Sequence, residues 1–239
     1  MHLLIGHYDE PNPERATEYA ECLKRNCANP HIESVTVFCE DDSHPLKWPK
    51  VWQVAAGCRM RYKDFFEYAS VVAAATGSEI CIVANADIYF DDSLAELEHY
   101  DFRNKLLCLS RWDVQANGKA TPYCKEWSHD AWIFRAPLRP FPCDWYLGKL
   151  ACDTRLAFEA KAAGIDLLNP CWSIRANHLH QSGVHNYGDE RIEGDELWIP
   201  PTRLDGTGPG PMPHEKKMTN PLVQMGIASR QKYWNKPDD

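Results

Sequence analysis

The residues best suited to chemistry stand together in the stretch 81–92, CIVANADIYFDD. Its apolar start, Cys81–Ala84, is short and bounded, as expected of a strand buried on both faces. The run breaks into Asn85, Ala86 and Asp87, followed by Asp91 and Asp92. A buried strand that ends in carboxylates suits a divalent cation, Mn2+ or Mg2+, which takes hard oxygen ligands and bridges to a substrate's phosphates. The plain alternative is that Asp87 opens a turn while Asp91, Asp92 and Ser93 cap the next helix. His178-Leu179-His180 is a second such group. In an extended segment alternation puts both imidazoles on one face and Leu179 on the other. Imidazole suits Mn2+ or Zn2+ better than Mg2+, and ordinary hydrogen-bonded histidines are the alternative.

Other polar residues have two readings each. Asp153, in ACDTR at 151–155, stands where a helix N-cap would stabilise by about 1 kcal/mol. Ser128-His129-Asp130 does not make a hydrolase triad, because a triad is spatial and needs a strained nucleophile elbow. Asp130 itself remains a candidate catalytic or hydroxyl-binding carboxylate. Arg111 and Arg155 can pair with a diphosphate or with neighbouring acids, and for Arg155, beside a helix-start Asp, the ion pair is the commoner role. His7, Tyr8 and Asp41 lie at strand ends, where an aromatic ring can stack on a base and an acid can accept from a ribose. Nine Trp in 239 residues is high. Trp112, Trp127 and Trp132 could wall a sugar site, though a core role is the stronger reading for each.

These groups need elements to hold them. Leu3–Gly6 reads as a first strand with His7 to Glu10 at its end. Asn12-Pro13-Glu14 is a helix start, and Ala16, Tyr19, Ala20 and Leu23 then share a face at helical spacing. Ser34–Cys39 is a second strand, ending in Glu40-Asp41-Asp42. The connection from Pro45 to Pro49 has no readable structure. A second helix spans 62–76 with Phe65, Phe66, Ala69, Val72 and Ala73 inward, stopped by Gly77. The strand before Asn85 comes next, and Ser93–Glu96 reads as a capping box. Strand–helix–strand–helix–strand predicts parallel pairing with crossover helices, which would bring the three polar strand ends to one edge.

After residue 105 the pattern changes. Leu106–Ser110 and Trp132–Phe134 read as strands, with a polar hairpin around Asn117-Gly118 between them. A helix opens at 151–155 with Leu156, Ala160 and Ala163 on one face. Leu167-Leu168 is a short strand, and Trp172–Ala176 leads to the two histidines. The fold class is α/β: one domain over 1–187, with a mostly parallel central sheet flanked by helices and a small mixed sheet. Residues 188–239, acidic and then rich in Pro and Gly, read as a wrapping tail or loop.

The totals narrow the function. A net charge of −8 argues against a wide, sequence-independent grip on nucleic acid. No segment approaches the length of a membrane span, and MHLLIG lacks the basic leader of a signal peptide. Ten cysteines with no CxxC pair, several inside apolar runs, predict free thiols and a cytoplasmic, reducing setting.

The order of these motifs over residues 2–187 resembles the GT-A-type nucleotide-sugar glycosyltransferases. The resemblance rests on Asn85-Ala86-Asp87 after a buried strand, Gly148 followed by Cys152-Asp153-Thr154-Arg155, and His178-Leu179-His180. The chain also resembles a group of small glycosyltransferase-like proteins with phrases close to 85–91, Leu109-Ser110-Arg111-Trp112 and 130–134. It implies a single Rossmann-like domain that moves a sugar from a nucleotide-diphosphate donor, UDP-sugar favoured, to an acceptor hydroxyl. The acceptor could be a glycan, a lipid, a protein or a modified nucleobase. The family's Asp-x-Asp motif holds Mn2+ or Mg2+ against the diphosphate; here Asn85 replaces its first Asp, so Asp87 is the remaining carboxylate. A later histidine often completes that metal site, which implicates His180 or His178. Inverting members place a base at a helix start after a Gly-containing loop, which implicates Asp153, with Asp130 its rival. His7, Tyr8, Asp41, Asn85, Asp87 and Arg111 are then the expected donor contacts. Two other classes compete: a sugar-phosphate nucleotidyltransferase, disfavoured because no Gly-rich basic loop follows the first strand, and a non-catalytic nucleotide-sugar- or carbohydrate-binding domain.

Overall fold

The computed structural model describes residues 1–41, 46–77, 79–184 and 190–210. The chain runs β1 (His2–His7), α1 (Pro13–Ala28), β2 (Ser34–Cys39), β3 (Val51–Ala55), α2 (Tyr62–Thr76), β4 (Ile80–Ala84) and β5 (Ile88–Phe90). A short 3-10 helix, Asp92–Leu97, follows. Then come β6 (Lys105–Leu109), β7 (Arg111–Val114), β8 (Ala120–Pro122), β9 (Ala131–Arg135), α3 (Cys152–Ala162), β10 (Asp166–Leu168) and β11 (Ala176–His178).

Local chemistry sets the ends. Asn12 accepts the Arg15 amide at 3.0 Å, Pro13 opens α1, and α2 stops at Gly77 in the left-handed region with φ 72°. Ser93 is not a cap: Asp91 accepts the Ser93 amide at 3.0 Å and starts the 3-10 helix. The expected capping box is corrected accordingly, because the Asp two residues upstream reaches the orphan donor first.

Seven strands form the main sheet in the order β10-β6-β9-β4-β1-β2-β3. All its pairs are parallel except those of β9, which lies antiparallel between β4 and β6. Ile82 and Ala84 point into one core with Leu23 and Cys27 of α1, whereas Cys81 and Val83 point into the other with Phe65 of α2 and Leu156 of α3. Period-2 alternation in a strand apolar on both sides thus explains the two layers of helix. A second sheet, β5-β11-β7-β8, stands beside the first, with the Asn117-Gly118 turn joining β7 to β8.

The inward face of α1 differs from the expected one. Ala20 is exposed and Ala16 half-buried, while Arg15, Glu18, Cys22 and Asn26 are buried along with Tyr19 and Leu23. This polar stripe meets the second sheet. Asn26 donates to the Ile88 carbonyl at 2.8 Å and accepts from the Phe90 amide at 3.0 Å, as a strand partner to β5 would.

Residues 190–210 run along the body. The Leu197 amide donates to the Thr154 carbonyl at 3.0 Å, and Ile199, 2% exposed, enters the core with α2 and α3. Residues 211–239 of the expected tail lie outside the described residues. Among the described residues, no helix is long and apolar enough to cross a membrane, and all ten cysteines are free.

Candidate active site

Strand order reverses between β1 and β4: β2 and β3 lie to one side of β1, and the chain returns to place β4 on the other. The C-terminal edge of such a switch point is where ligands bind in open α/β sheets. A cleft of about 310 Å³ opens there. Gly6 and Tyr8 line it from β1, Glu40 from β2, and Asn85, Ala86 and Asp87 from β4. The three polar strand ends therefore do converge, because β1 pairs with β2 and β4 in nearly level register.

Asp87 is the centre of the charge network. Its Oδ2 accepts from Arg15 Nη2 at 2.5 Å and faces His178 Nε2 at 3.2 Å. Burial works to raise its pKa, but His178 and Arg15 win and hold it well below the usual carboxylate range. Its Oδ1 is buried with no hydrogen-bond partner. His178 Nδ1 faces Asp113 Oδ1 at 3.0 Å. Burial opposes protonation of this ring, yet the two carboxylates raise its pKa to about 9. His180 stacks on His178 with ring centroids 5.3 Å apart. Leu179 points away into a small cluster with Cys22 and Val114, as alternation requires.

Asp87, His178 and His180 each offer a ligand atom within 4.8 Å of one another. A buried carboxylate oxygen without a partner, with two histidine rings close by, fits a divalent cation such as Mn2+ that displaces the proton of His178 on binding. Asn85 is turned elsewhere, its amide donating to Asp130 Oδ1 at 3.2 Å.

Asp130 ties the cleft to a second carboxylate. It is buried, and Arg111 Nη1 stands 3.5 Å from its Oδ1 while Arg111 Nε donates to Asp113 at 2.9 Å. Its neighbour His129 sends the backbone amide the other way, to Asp153 Oδ2 at 2.8 Å. Adjacent residues of one segment thus face Asn85 and Asp153 in turn. Asp153 is not the N-cap of α3. Ala151 holds that position, in the left-handed region with φ 62°, and Asp153 is the second helical residue. Its side chain is 15% exposed. Burial is the largest influence and, with the negative charge of Asp130, raises its pKa to about 7 against the pull of the His129 amide. The His129 ring is fully enclosed, and burial alone lowers its pKa to about 3.

Of the residues singled out in the sequence, Tyr8, Asn85 and Asp87 line the cleft, with His178 on Asp87. His7, Asp41 and Arg111 are not in its lining; Asp41 accepts the Asp9 amide at 2.8 Å and so joins the ends of β1 and β2. Trp132 is 1% exposed and belongs to the core, and Trp112 donates to the Cys171 carbonyl at 2.8 Å. Arg155 pairs with Glu159 one turn on, and is a helix ion pair. Sequence reasoning missed Arg15, Glu18 and Arg59. Arg59 donates to the Leu147 carbonyl at 2.6 Å across the cleft rim. Gly148 permits this: its φ is 77°, and a Cβ there would sit 2.8 Å from Arg59 Nη2.

No family model and no curated protein matches the chain. Solved structures do. Staphylococcus aureus TarS in complex with UDP-GlcNAc matches 82% of this chain and 59% of its own at 14% identity, with TM-score 0.40. The chain spans about 59% of the TarS 1–349 structure in its other form too, at 13% identity and TM-score 0.41. The glycosyltransferase GlyE of Streptococcus pneumoniae TIGR4 matches 57% of this chain and 34% of its own at 9% identity, with TM-score 0.32. Of these solved structures, GlyE is named as a glycosyltransferase and one form of TarS as a complex with UDP-GlcNAc.

Proposed function

We propose that the chain transfers a sugar from a nucleotide-diphosphate donor, UDP-sugar favoured, to an acceptor hydroxyl with inversion. The observation that carries the reading is a pair of differently tuned carboxylates, Asp87 in the cleft lining and Asp153 outside that lining, linked to it through His129, Asp130 and Asn85. Asp87 is held ionised beside Arg15 and the two histidines, and Asp153 is held with a pKa near 7 by burial. Environments that push two carboxylates apart assign charge binding to one and proton transfer to the other.

In this mechanism Asp153 takes the acceptor's hydroxyl proton as that oxygen bonds to the anomeric carbon. The bond from the anomeric carbon to the diphosphate breaks, and its electron pair leaves with the nucleotide. Arg59 at the cleft rim faces the charge of the diphosphate. Asp87, His180 and His178 would hold a divalent cation, Mn2+ or Mg2+, which when bound supplies Lewis-acid neutralisation of the leaving group. Asn85 donates to Asp130, and the amide of the adjacent His129 donates to Asp153, so one run of contacts leads from the cleft to Asp153.

The test is release of nucleoside diphosphate from a panel of UDP-glucose, UDP-GlcNAc and GDP-mannose, each with Mn2+ and mixed oligosaccharide acceptors. Release from one donor supports the reading. Binding of a donor without release under any acceptor makes the chain a binding module, and absence of all binding overturns the proposal.

A further inference from the structure

Glu18 is a buried carboxylate whose partners do not belong to its own helix alone. Its Oε1 accepts the amides of Gln181 at 2.6 Å and Ser182 at 2.7 Å. Its Oε2 accepts the Ser182 hydroxyl at 3.0 Å and Arg15 Nη1 at 2.8 Å. Arg15 in turn donates to the Leu179 carbonyl at 3.3 Å through Nη1 and to Asp87 through Nη2. Side-chain exposures are 6% for Arg15 and 9% for Glu18. These bonds hold the segment on both sides of His180, and the same pair holds Asp87.

Packing does not require such a device. A buried ion pair is costly to desolvate, and apolar residues of similar volume serve stability as well or better. Charges placed here direct backbone groups, which an apolar pair cannot do. Outer-shell partners that fix ligand orientation commonly set metal affinity.

We infer that Glu18, acting with Arg15, is a positioning residue that locks the Leu179–Ser182 segment so that His180 stands close to Asp87. This rests on the proposed metal role of Asp87 and His180. The stripe on α1 is then a ruler between the two sheets: it carries one metal-site residue from the end of β4 and the other from the end of β11.

The experiment is Mn2+ titration of the full chain, followed by the electron paramagnetic resonance of free Mn2+, with thermal melting of each variant alongside. Wild type should bind Mn2+. Glu18→Gln should melt cooperatively and bind about 10–100-fold more weakly, whereas Glu21→Gln, half-buried and off the buried stripe of α1, should bind as wild type. A role in stability alone would lower the melting temperature and leave the affinity of the folded protein unchanged, and that result overturns the inference. If Glu18→Gln does not fold, Ser182→Ala removes only the hydroxyl's bond and should weaken Mn2+ about five-fold; wild-type affinity in that variant overturns the inference. If wild type itself binds no Mn2+, the metal role falls, and the inference falls with it. That outcome differs from binding that is intact and indifferent to Glu18.

Discussion

Asp153 has to be read from its surroundings, because its position in the chain is that of an ordinary helix-start acid. The left-handed Ala151 takes the cap position, so the carboxylate turns to the His129 amide and sinks into a site that disfavours its charge. Two results follow. Asp153→Asn should leave donor affinity within about two-fold of wild type and reduce transfer by about a hundred-fold or more, the usual worth of a general base. Donor affinity that collapses with activity would make Asp153 a donor ligand instead, a result isothermal titration would give. The pH dependence has a definite sign. A carboxylate with pKa about 7 becomes a base only as pH rises, so log rate should climb with unit slope to about pH 7 and then level. Stability runs the other way. The folded pKa lies above the unfolded value of 3.8, so the neutral group's contribution is present below that value and lost as pH rises to about 7. Asp153→Asn should therefore melt several degrees above wild type at about pH 8 and with it at about pH 3.5. The sequence alone identifies Asp153 and Asp87 as carboxylates at element ends. It does not contain their pKa values, which depend on enclosure and on Arg15 and Asp130.

Arg15 and Glu18 show why part of the site was hidden. Periodicity analysis looks for apolar residues at helical spacing, and α1 buries charged ones at positions 15 and 18 with Asn26 two turns further on. The stripe meets a sheet edge and a turn, where backbone groups need partners, so a polar face is the one that fits. Arg15→Met keeps the bulk and removes the charge, leaving Asp87 and Glu18 each short of a partner. Breaking a buried pair in this way should cost about 3–5 kcal/mol of unfolding free energy by urea denaturation. A loss under about 1 kcal/mol would mean that water replaces the guanidinium. The elements themselves were mostly legible: β2 and α2 have the expected bounds, β1 is one residue longer at each end, and β4 starts one residue earlier. β3 was not, because it is an edge strand with Trp52 67% exposed and no apolar alternation to reveal it. β5 spans three residues, too few to show a period. β9 was recognisable as a strand, but its antiparallel direction is fixed by pairing with β4 and β6, distant in the chain.

Two sheets meeting over one helix give the molecule a site assembled from separate elements, with Asp87 leaving β4 and the histidines at the end of β11. Ligand binding should therefore stabilise the whole chain, since any nucleotide that bridges these ends holds the sheets together. Thermal unfolding with UDP, GDP or CMP, each with Mn2+ or with EDTA, measures this directly. At about a hundred times its dissociation constant a ligand adds about 2.7 kcal/mol, which for a chain of this length is a rise of about 5–10 °C. The expected result is a rise with UDP that depends on Mn2+. The buried, unpartnered Oδ1 of Asp87 is the atom that predicts the dependence. A rise of equal size in EDTA would assign the diphosphate's neutralisation to Arg15 and Arg59, cations already fixed at the cleft, and would remove Asp87 as a ligand. Asp87→Asn separates these cases again: under the metal reading it abolishes the Mn2+-dependent rise, while under the arginine reading the rise in EDTA persists because both guanidinium groups remain.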